Sequence, residues 1–299
     1  MEATLSEFVL FLRRKGRAER TVQAYRRDVD RFVGWCEAVY GMSFEVGMVN
    51  AADLRDFEVW CRKSLGLKAA SWNRAMASLG VWCRWLVAGG WLAENPVGGL
   101  TRAAGQKLAP KSLDAVSFRR FRLAVMNAVR LAGSEAARKA ALRNQAVISL
   151  LVEAGMREGE VVNLRAGDLL LGERKGRVLI RAAKGNKDRE IPLSMGSVQA
   201  LKAWLEARPK DLGEWVFGGK FGERLQERGI QKLVGKLAEQ AGVGHVTPHC
   251  LRHTAAYRWI KAGADLGEVA ELLGHSSIEV TRRYTMPHWQ DLEELVEAV

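Results

Sequence analysis

The sequence has few of the groups that build a disulfide framework, a metal centre or a membrane anchor. Its 299 residues include four cysteines and no C-x-x-C pair. It has no G-x-x-x-x-G-K-[ST] loop, no H-E-x-x-H pattern and no carboxylate pair with Mg²⁺ spacing, so neither ATP nor a metal is expected as a cofactor. No apolar run is long enough to span a bilayer, and no cationic signal region opens the chain. These absences predict a soluble, cytoplasmic protein with reduced thiols and no membrane partner.

Basic residues, by contrast, are in excess along the chain. The formal charge is +12 and the pI is about 9.8, which favours a polyanionic partner. Residues 1–112 hold 17 Lys and Arg against 11 Asp and Glu, and residues 113–299 hold 29 against 23, so each part carries +6. Both parts are therefore candidates to contact DNA. The segment after Tyr284 has no Lys or Arg and several acidic residues, so it is not expected to face phosphate.

Hydrophobic periodicity predicts a mainly α-helical chain with a small antiparallel sheet in its second part. Residues 1–100 show four helical patterns; Thr21 is expected to cap the second and Asn50 the third. Most of the six tryptophans there are expected in the core. Residues 101–112 have the composition of a basic linker, which either crosses DNA backbone or is an ordinary exposed tether. Residues 113–299 form the second predicted domain.

Within this second domain, apolar residues up to Ala154 predict a helix ended by Gly155, followed by a second helix through Leu164. Alternation predicts a hairpin of strands at 177–182 and 190–193 around a turn at Gly185-Asn186. Ser194 is expected to cap the next helix, and residues 224–241 to form another.

The densest cluster of reactive side chains lies between Thr247 and Tyr284. Pro248 suits a first helical turn capped by Thr247, which puts His249 and Arg252 on one helix. Gly274 is expected to end a short helix over 266–273 and expose His275, and Ser276-x-x-Glu279 is typical of a capping box before Tyr284. A guanidinium grips phosphate oxygens, imidazoles donate or move protons, and a phenol can attack phosphorus. The set therefore indicates phosphodiester chemistry.

These residues carry a resemblance to a known family. The H-x-x-R at His249, the L-G-H ending at His275 and the tyrosine nine positions later resemble the second conserved box of the tyrosine recombinases, the phage integrase family. The G-x-R-x-x-E from Gly155 to Glu160 is similar to the first box. The stretch Ala183-Lys184-Gly185-Asn186-Lys187 resembles the family's lysine-bearing β-hairpin, with alanine where the family pattern has glycine. Six positions in this order make a specific signal.

The resemblance implies a function and a role for each residue. Tyr284 would attack the DNA phosphate, giving a 3′-phosphotyrosyl intermediate, while Arg157 and Arg252 hold its oxygens. His249 would take the proton of the tyrosine, and His275 would hold a phosphate oxygen. Lys184 would protonate the departing 5′ oxygen, with Lys187 as the competing candidate, and Glu160 would orient Arg157 or its loop. A helical core-binding domain and a catalytic domain would form a clamp on DNA. No cofactor and no metal would be needed.

Two other functions are weighed against this one. A type IB topoisomerase uses a similar residue set, but needs no docking segment after the tyrosine, whereas Met286–Val299 has an apolar stripe and acidic charge. A non-catalytic DNA-binding protein of the same fold would be expected to lose at least one of the six positions, and none is lost. A pairing of His249 with His253 on zinc is disfavoured by Arg252 between them.

The expected partners are double-stranded DNA recombination sites and further recombinase subunits. The resemblance implies a dimer on one site and a tetramer in synapsis, coupled through the C-terminal segment, and it allows a heteromeric recombinase partner. Whether that segment docks in cis or in trans is not decided by the sequence. Within the family, the chain resembles the compact Xer-type and transposon-borne recombinases.

Overall fold

The computed structural model describes residues 2–98, 112–181, 188–218 and 223–275, and Thr281. The chain divides into two compact units, Met1–Leu108 and Ala109–Val299. The described residues are mainly helical with one three-stranded antiparallel sheet, so the predicted fold class is confirmed. The domain limits expected at residues 100 and 112 stay predictions. No helix in the described ranges combines the length and hydropathy of a membrane span.

The described part of the first unit contains the four helices that the sequence predicts. Their bounds are α1 Glu2–Arg14, α2 Glu19–Tyr40, α3 Ala51–Lys63 and α4 Ala69–Ala88. The side chain of Asn50 accepts from the backbone N–H groups of Ala52 and Asp53, which confirms it as the cap of α3. The cap predicted at Thr21 is wrong, because the carbonyl of Ala18 already accepts from Thr21 N and α2 begins at Glu19.

Aromatic side chains fill the core of the first unit. Trp72 and Trp82 are fully buried, and Trp35 is buried beside Phe32. Of the six tryptophans, Trp91 is the exposed exception at 44%. The expectation that most of them are core residues is therefore confirmed, and their packing accounts for much of the burial that holds α1 to α4 together.

The second unit has seven α-helices and three strands in its described residues. Their bounds are α5 Ala115–Arg130, α6 Glu135–Val152, α7 Glu158–Val162, β1 Leu169–Leu171, β2 Gly176–Ile180, β3 Arg189–Leu193, α8 Met195–Ala207, α9 Glu227–Gln240, α10 Pro248–Lys261 and α11 Leu266–Leu273. The apolar α6 is central and packs against α5, α8 and α10. Ser194 accepts from Ser197 N and caps α8, as predicted.

The sheet has the order β1-β2-β3, with both pairs antiparallel. Val178 of β2 lies opposite Ile191 of β3, and both face the core. Strand β1 was not predicted, since three residues give too little alternation to read. Leu164 was expected on α7 but follows it, because α7 is only five residues long. The hairpin turn between β2 and β3, with Lys184, lies outside the described residues.

Candidate active site

A glycine turn places Arg157 at the start of α7. Gly155 has φ +62°, and a Cβ added there would lie 2.8 Å from Trp259 Cη2 and 3.1 Å from Leu273 Cδ2. Only glycine fits this left-handed position between packed side chains without strain. Arg157 follows in extended conformation, with 43% of its side chain exposed. The turn thus places the guanidinium of Arg157 at the edge of the packed core, where a ligand can contact it.

Glu160 holds Arg157 in two ways. Its carboxylate accepts from the backbone N–H of Arg157 at 2.8 Å and from Arg157 Nη1 at 2.9 Å. Burial raises the pKa of Glu160, but the bond from the Arg157 backbone and the charges of Arg189, Arg157 and Arg252 outweigh burial and lower the pKa below its ordinary value. Glu160 is therefore an anion at neutral pH. These contacts support the role expected of Glu160, which is to orient Arg157.

Arg189 is a member of this cluster that the sequence did not reveal. Its Nη2 lies 3.0 Å from both oxygens of Glu160, its Nε donates to the carbonyl of Leu272 at 3.1 Å, and its side chain is 12% exposed. A Cβ on Gly274 would lie 2.8 Å from Arg189 Cζ, so the glycine that ends α11 also makes room for this guanidinium. Arg189 thereby ties β3 to the segments that carry Arg157 and His275.

Arg252 is buried on α10, whose start matches the prediction. Thr247 Oγ1 accepts from Cys250 N and Pro248 occupies the first turn. The Arg252 side chain, 2% exposed, donates to the carbonyls of Gly155 and Leu273, each at 2.6 Å. These two bonds fix the guanidinium between the turn before Arg157 and the end of α11. The two predicted motifs, distant in sequence, therefore meet through backbone carbonyls.

His275 follows the end of α11, as expected from Gly274. Its backbone N donates to Ala270 O at 2.9 Å. Its Nε2 lies 3.2 Å from Arg252 Nη2, and its Nδ1 lies 2.9 Å from Thr281 Oγ1. Burial, together with the charges of Arg252, Arg157, Arg189 and His249, lowers the pKa of His275 to about 4, so the ring is neutral at pH 7.

The groups beside the two ring nitrogens determine the tautomer of His275 in this arrangement. A guanidinium donates and never accepts, so Nε2 must accept from Arg252 and the proton must sit on Nδ1. Nδ1–H then donates to Thr281 Oγ1. Donation from His275 to a phosphate oxygen, the role that the resemblance implies, requires the other tautomer, with the proton on Nε2.

His249 lies on the exposed side of α10. Its Nε2 is 3.0 Å from Nε2 of His253 one turn later, and the two rings meet edge to face at 4.4 Å. His253 is 7% exposed, so its ring is packed inside the unit. In this pair one ring donates and the other accepts, so the buried ring orients the exposed one.

The described residues thus bring together four of the six predicted catalytic side chains, Arg157, His249, Arg252 and His275, with Glu160. Lys184 and Tyr284 lie outside the described residues, as does the predicted capping box at 276–279. Among the described residues, no group of three or more His, Cys, Asp or Glu is placed to hold a metal ion. No sequence pattern singled out Arg189, a basic residue next to the strand predicted at 190–193, or Thr281, which lies three positions before Tyr284.

Fixed guanidinium groups beside a neutral imidazole define an anion site suited to a phosphodiester, on a mainly helical scaffold. Comparisons with known proteins agree with this class. The model of the phage integrase family matches residues 122–290, and that of the phage integrase N-terminal SAM-like domain matches residues 5–90. The chain therefore belongs to the phage integrase family, the tyrosine recombinases, which cut and rejoin DNA in site-specific recombination.

Curated relatives support the same placement, and solved structures match the fold. The tyrosine recombinase XerC of Neisseria meningitidis is 34% identical over 91% of this chain and 87% of its own. XerC of Xylella fastidiosa is 30% identical over 100% and 97%. The fold matches the XerH site-specific recombinase bound to palindromic difH substrate, with a TM-score of 0.74, 23% identity and coverage of 92% and 78%. It also matches a lambda integrase dimer bound to a COC′ core site, with a TM-score of 0.71, 18% identity and coverage of 94% and 96%.

Proposed function

We propose that this recombinase exchanges DNA strands through a 3′-phosphotyrosyl intermediate in which Tyr284 is the nucleophile. The observation that carries the proposal is the assembly of Arg157, Arg252 and His275 around Glu160 and two backbone carbonyls. This assembly is an anion-binding centre held in place before any DNA arrives. Tyr284 follows His275 by nine positions, which is the order of the family's second box.

The two arginines act as the phosphate clamp in this proposal. Attack on a phosphodiester adds charge to its equatorial oxygens, and guanidinium groups remain charged at cellular pH. Arg252 is positioned by two carbonyls and Arg157 by Glu160, so neither has to be reorganised as the charge develops. Preorganised donors of this kind stabilise a transition state more than mobile ones do.

Two proton transfers complete the step. The free phenol of a tyrosine has a pKa of about 10, so a base must take its proton. We assign this role to His249, which is exposed and oriented by His253. Lys184 donates a proton to the 5′ oxygen as it leaves. The new phosphotyrosyl ester conserves the bond energy, so the 5′ hydroxyl of another strand can reverse the reaction without ATP or metal.

The proposal is tested with a nicked duplex that carries the recombination site, incubated with the protein in excess EDTA. We expect an SDS-stable protein–DNA adduct and, with two intact sites, exchanged strands. Loss of both products that only Mg²⁺ restores would contradict the metal-free mechanism. Relaxation of supercoiled DNA without any exchange between sites would instead favour the topoisomerase-like alternative.

The role of Lys184 predicts a selective chemical rescue. Lys184→Ala is expected to abolish cleavage of an ordinary phosphodiester, because the alkoxide leaves poorly without a proton. A 5′-bridging phosphorothiolate should restore most of the cleavage, since a thiolate leaves unprotonated. Lys187→Ala is the matched control, with cleavage of the ordinary substrate near that of the parent. Equal rescue of both variants, or no rescue of Lys184→Ala, would reassign the general acid.

We also propose how the two units share the work. Residues 1–100 bind the DNA core site, residues 101–112 link the domains, and residues 113–299 carry out the chemistry. Net charge of +6 on each part supports contact of both with DNA in the cytoplasm. Two protomers fill one site and four form the synapse, with room for a heteromeric recombinase partner.

Subunit coupling is assigned to the segment after Tyr284. Its acidic charge and its apolar stripe Leu292, Leu295 and Val296 suit docking into a groove of a neighbouring protomer. Truncation after Pro287 should leave binding to a single half-site nearly intact while it lowers cooperative filling of the full site and recombination. Gel-shift titrations on half and full sites measure both. A truncated protein that fills the full site cooperatively and recombines like the parent would exclude this coupling role.

A further inference from the structure

The hydroxyl of Thr281 lies on the Nδ1 side of the His275 ring. Thr281 is fully buried, and its Oγ1 lies 2.9 Å from His275 Nδ1. On the other side of the ring, Arg252 Nη2 lies 3.2 Å from Nε2. One ring nitrogen therefore faces an obligate donor, and the other faces a hydroxyl that can donate or accept.

A phosphate that enters the site changes which nitrogen of His275 must carry the proton. Without phosphate, Arg252 requires Nε2 to accept, so Nδ1 carries the proton and Thr281 Oγ1 accepts it. A phosphate oxygen beside Arg252 would offer an acceptor to both the guanidinium and the imidazole. The ring can then serve the phosphate only with its proton on Nε2, which leaves Nδ1 as an acceptor that needs a donor.

We propose that Thr281 is a positioning residue that lets His275 exchange tautomers on binding the DNA phosphate. Its hydroxyl accepts from Nδ1–H in the free enzyme and, after rotating about the Cβ–Oγ1 bond, donates to Nδ1 in the complex. The single ring proton is thus carried on Nδ1 before binding and on Nε2 after it, exchanged through solvent, with no change in net charge. This inference rests on the proposed function, because it takes the scissile phosphate as the ligand.

The electrostatic surroundings favour a tautomer change over protonation of the ring. The charged and titratable groups that act on His275 are Arg252 and His249 on α10, Arg157 before α7, and Arg189 on β3. The three guanidinium groups oppose a second positive charge at His275. A neutral ring can supply an N–H to phosphate without that charge only if its other nitrogen has a donor beside it, and Thr281 provides that donor.

The first test observes the tautomer directly. The protein is labelled with ¹⁵N-histidine in the Tyr284→Phe background, so that it binds DNA without cleaving it, and His275→Gln identifies the resonances among five histidines. We expect the Nδ1–H tautomer in the free protein and the Nε2–H tautomer on the site-bearing duplex. An Nε2–H tautomer in the free protein, or an unchanged tautomer on the duplex, would overturn the inference.

The second test uses matched substitutions at position 281. Thr281→Val keeps the shape and removes the hydroxyl, and Thr281→Ser keeps the hydroxyl. At saturating DNA, Thr281→Val should lower the single-turnover cleavage rate by on the order of tenfold or more, the effect of leaving a buried acceptor unpaired. Thr281→Ser should stay within about threefold of the parent, since its hydroxyl offers the same donor and acceptor. Cleavage by Thr281→Val at the parental rate would overturn the inference, as would failure of serine to rescue.

The two tests separate this inference from the proposed function. If Tyr284→Phe still formed a covalent adduct, the nucleophile would be wrong while the tautomer of the free protein could still be read. If the wild type formed the Tyr284 adduct but His275 kept one tautomer in the free and DNA-bound protein, the proposed function would be supported and the role of Thr281 would be excluded. Thermal melting of the Val and Ser variants controls for folding, and equal melting with unequal cleavage supports the positioning role.

Discussion

Tyr284→Phe should bind the recombination site like the parent and form no covalent adduct with it. Phenylalanine keeps the ring and removes only the oxygen that would bond to phosphorus, so packing and DNA affinity are preserved while the chemical step is lost. The adduct is measured on a nicked suicide duplex by SDS gel, and binding by gel shift on the same duplex. The expected loss is complete, because phenylalanine has no oxygen that could bond to phosphorus.

The second unit offers a matched control for this substitution. Tyr257 on α10 is the one other tyrosine between residues 109 and 299. Tyr257→Phe removes the same atom from the same unit and should retain the adduct at near-parental yield. An adduct that persisted in Tyr284→Phe and vanished in Tyr257→Phe would reassign the nucleophile. An adduct lost in both would point to a folding defect, which thermal melting would detect.

The local signals in the sequence predicted much of this fold correctly. Asn50, Ser194 and Thr247 cap their helices as expected, because a side-chain acceptor before an apolar pattern satisfies the first free N–H groups. Gly274 ends α11 in the left-handed conformation that glycine adopts without cost. Such features depend on neighbours within one helical turn, which is the range over which sequence patterns are informative.

What could not be predicted depends on contacts between distant segments. Arg189 is 29 residues from Glu160 and 83 from Leu272, and no spacing rule joins an arginine to a carboxylate or a carbonyl at those separations. Strand β1 forms because Leu169 to Leu171 pair with β2, not because three leucines favour a strand. Thr21 failed as a cap because α2 is already capped at Ala18, three residues earlier, where the carbonyl of Ala18 accepts from Thr21 N.

The candidate site likewise combines residues that the sequence identified with contacts that it could not predict. Resemblance supplied the identities of Arg157, Arg252 and His275, but not the atoms that hold them. Arg252 reaches the carbonyl of Gly155 across 97 positions, and that contact fixes one motif against the other. The tautomer of His275 follows from which groups lie at each nitrogen, so it became accessible only with three-dimensional geometry.

Substitution of Arg252 should have the largest effect of any change in the described part of the site. Arg252→Ala would remove a clamp on the phosphate and leave the buried carbonyls of Gly155 and Leu273 without their donor. Each unpaired buried group costs roughly 1–3 kcal/mol of the free energy of unfolding. At about 2–4 °C per kcal/mol for a unit of this size, the melting temperature should fall by several degrees. A loss of cleavage in Arg252→Ala alone would therefore not distinguish a lost phosphate contact from a lost stability of the unit.

Arg252→Lys separates the two effects. Lysine keeps the charge and can still donate to one carbonyl, but it lacks the planar fork that donates to both carbonyls and still has N–H groups for a phosphate. We expect single-turnover cleavage to fall by on the order of 10²–10³, the effect of losing one preorganised donor at a developing charge, with a smaller melting shift than Arg252→Ala.

Arg258→Lys is the control on the same helix, because Arg258 stacks on Phe118 at 4.4 Å instead of entering the site. It should cleave like the parent. Cleavage by Arg252→Lys within about threefold of the parent would exclude a bidentate phosphate clamp, and equal losses in both lysine variants would indicate that helix α10 is perturbed as a whole.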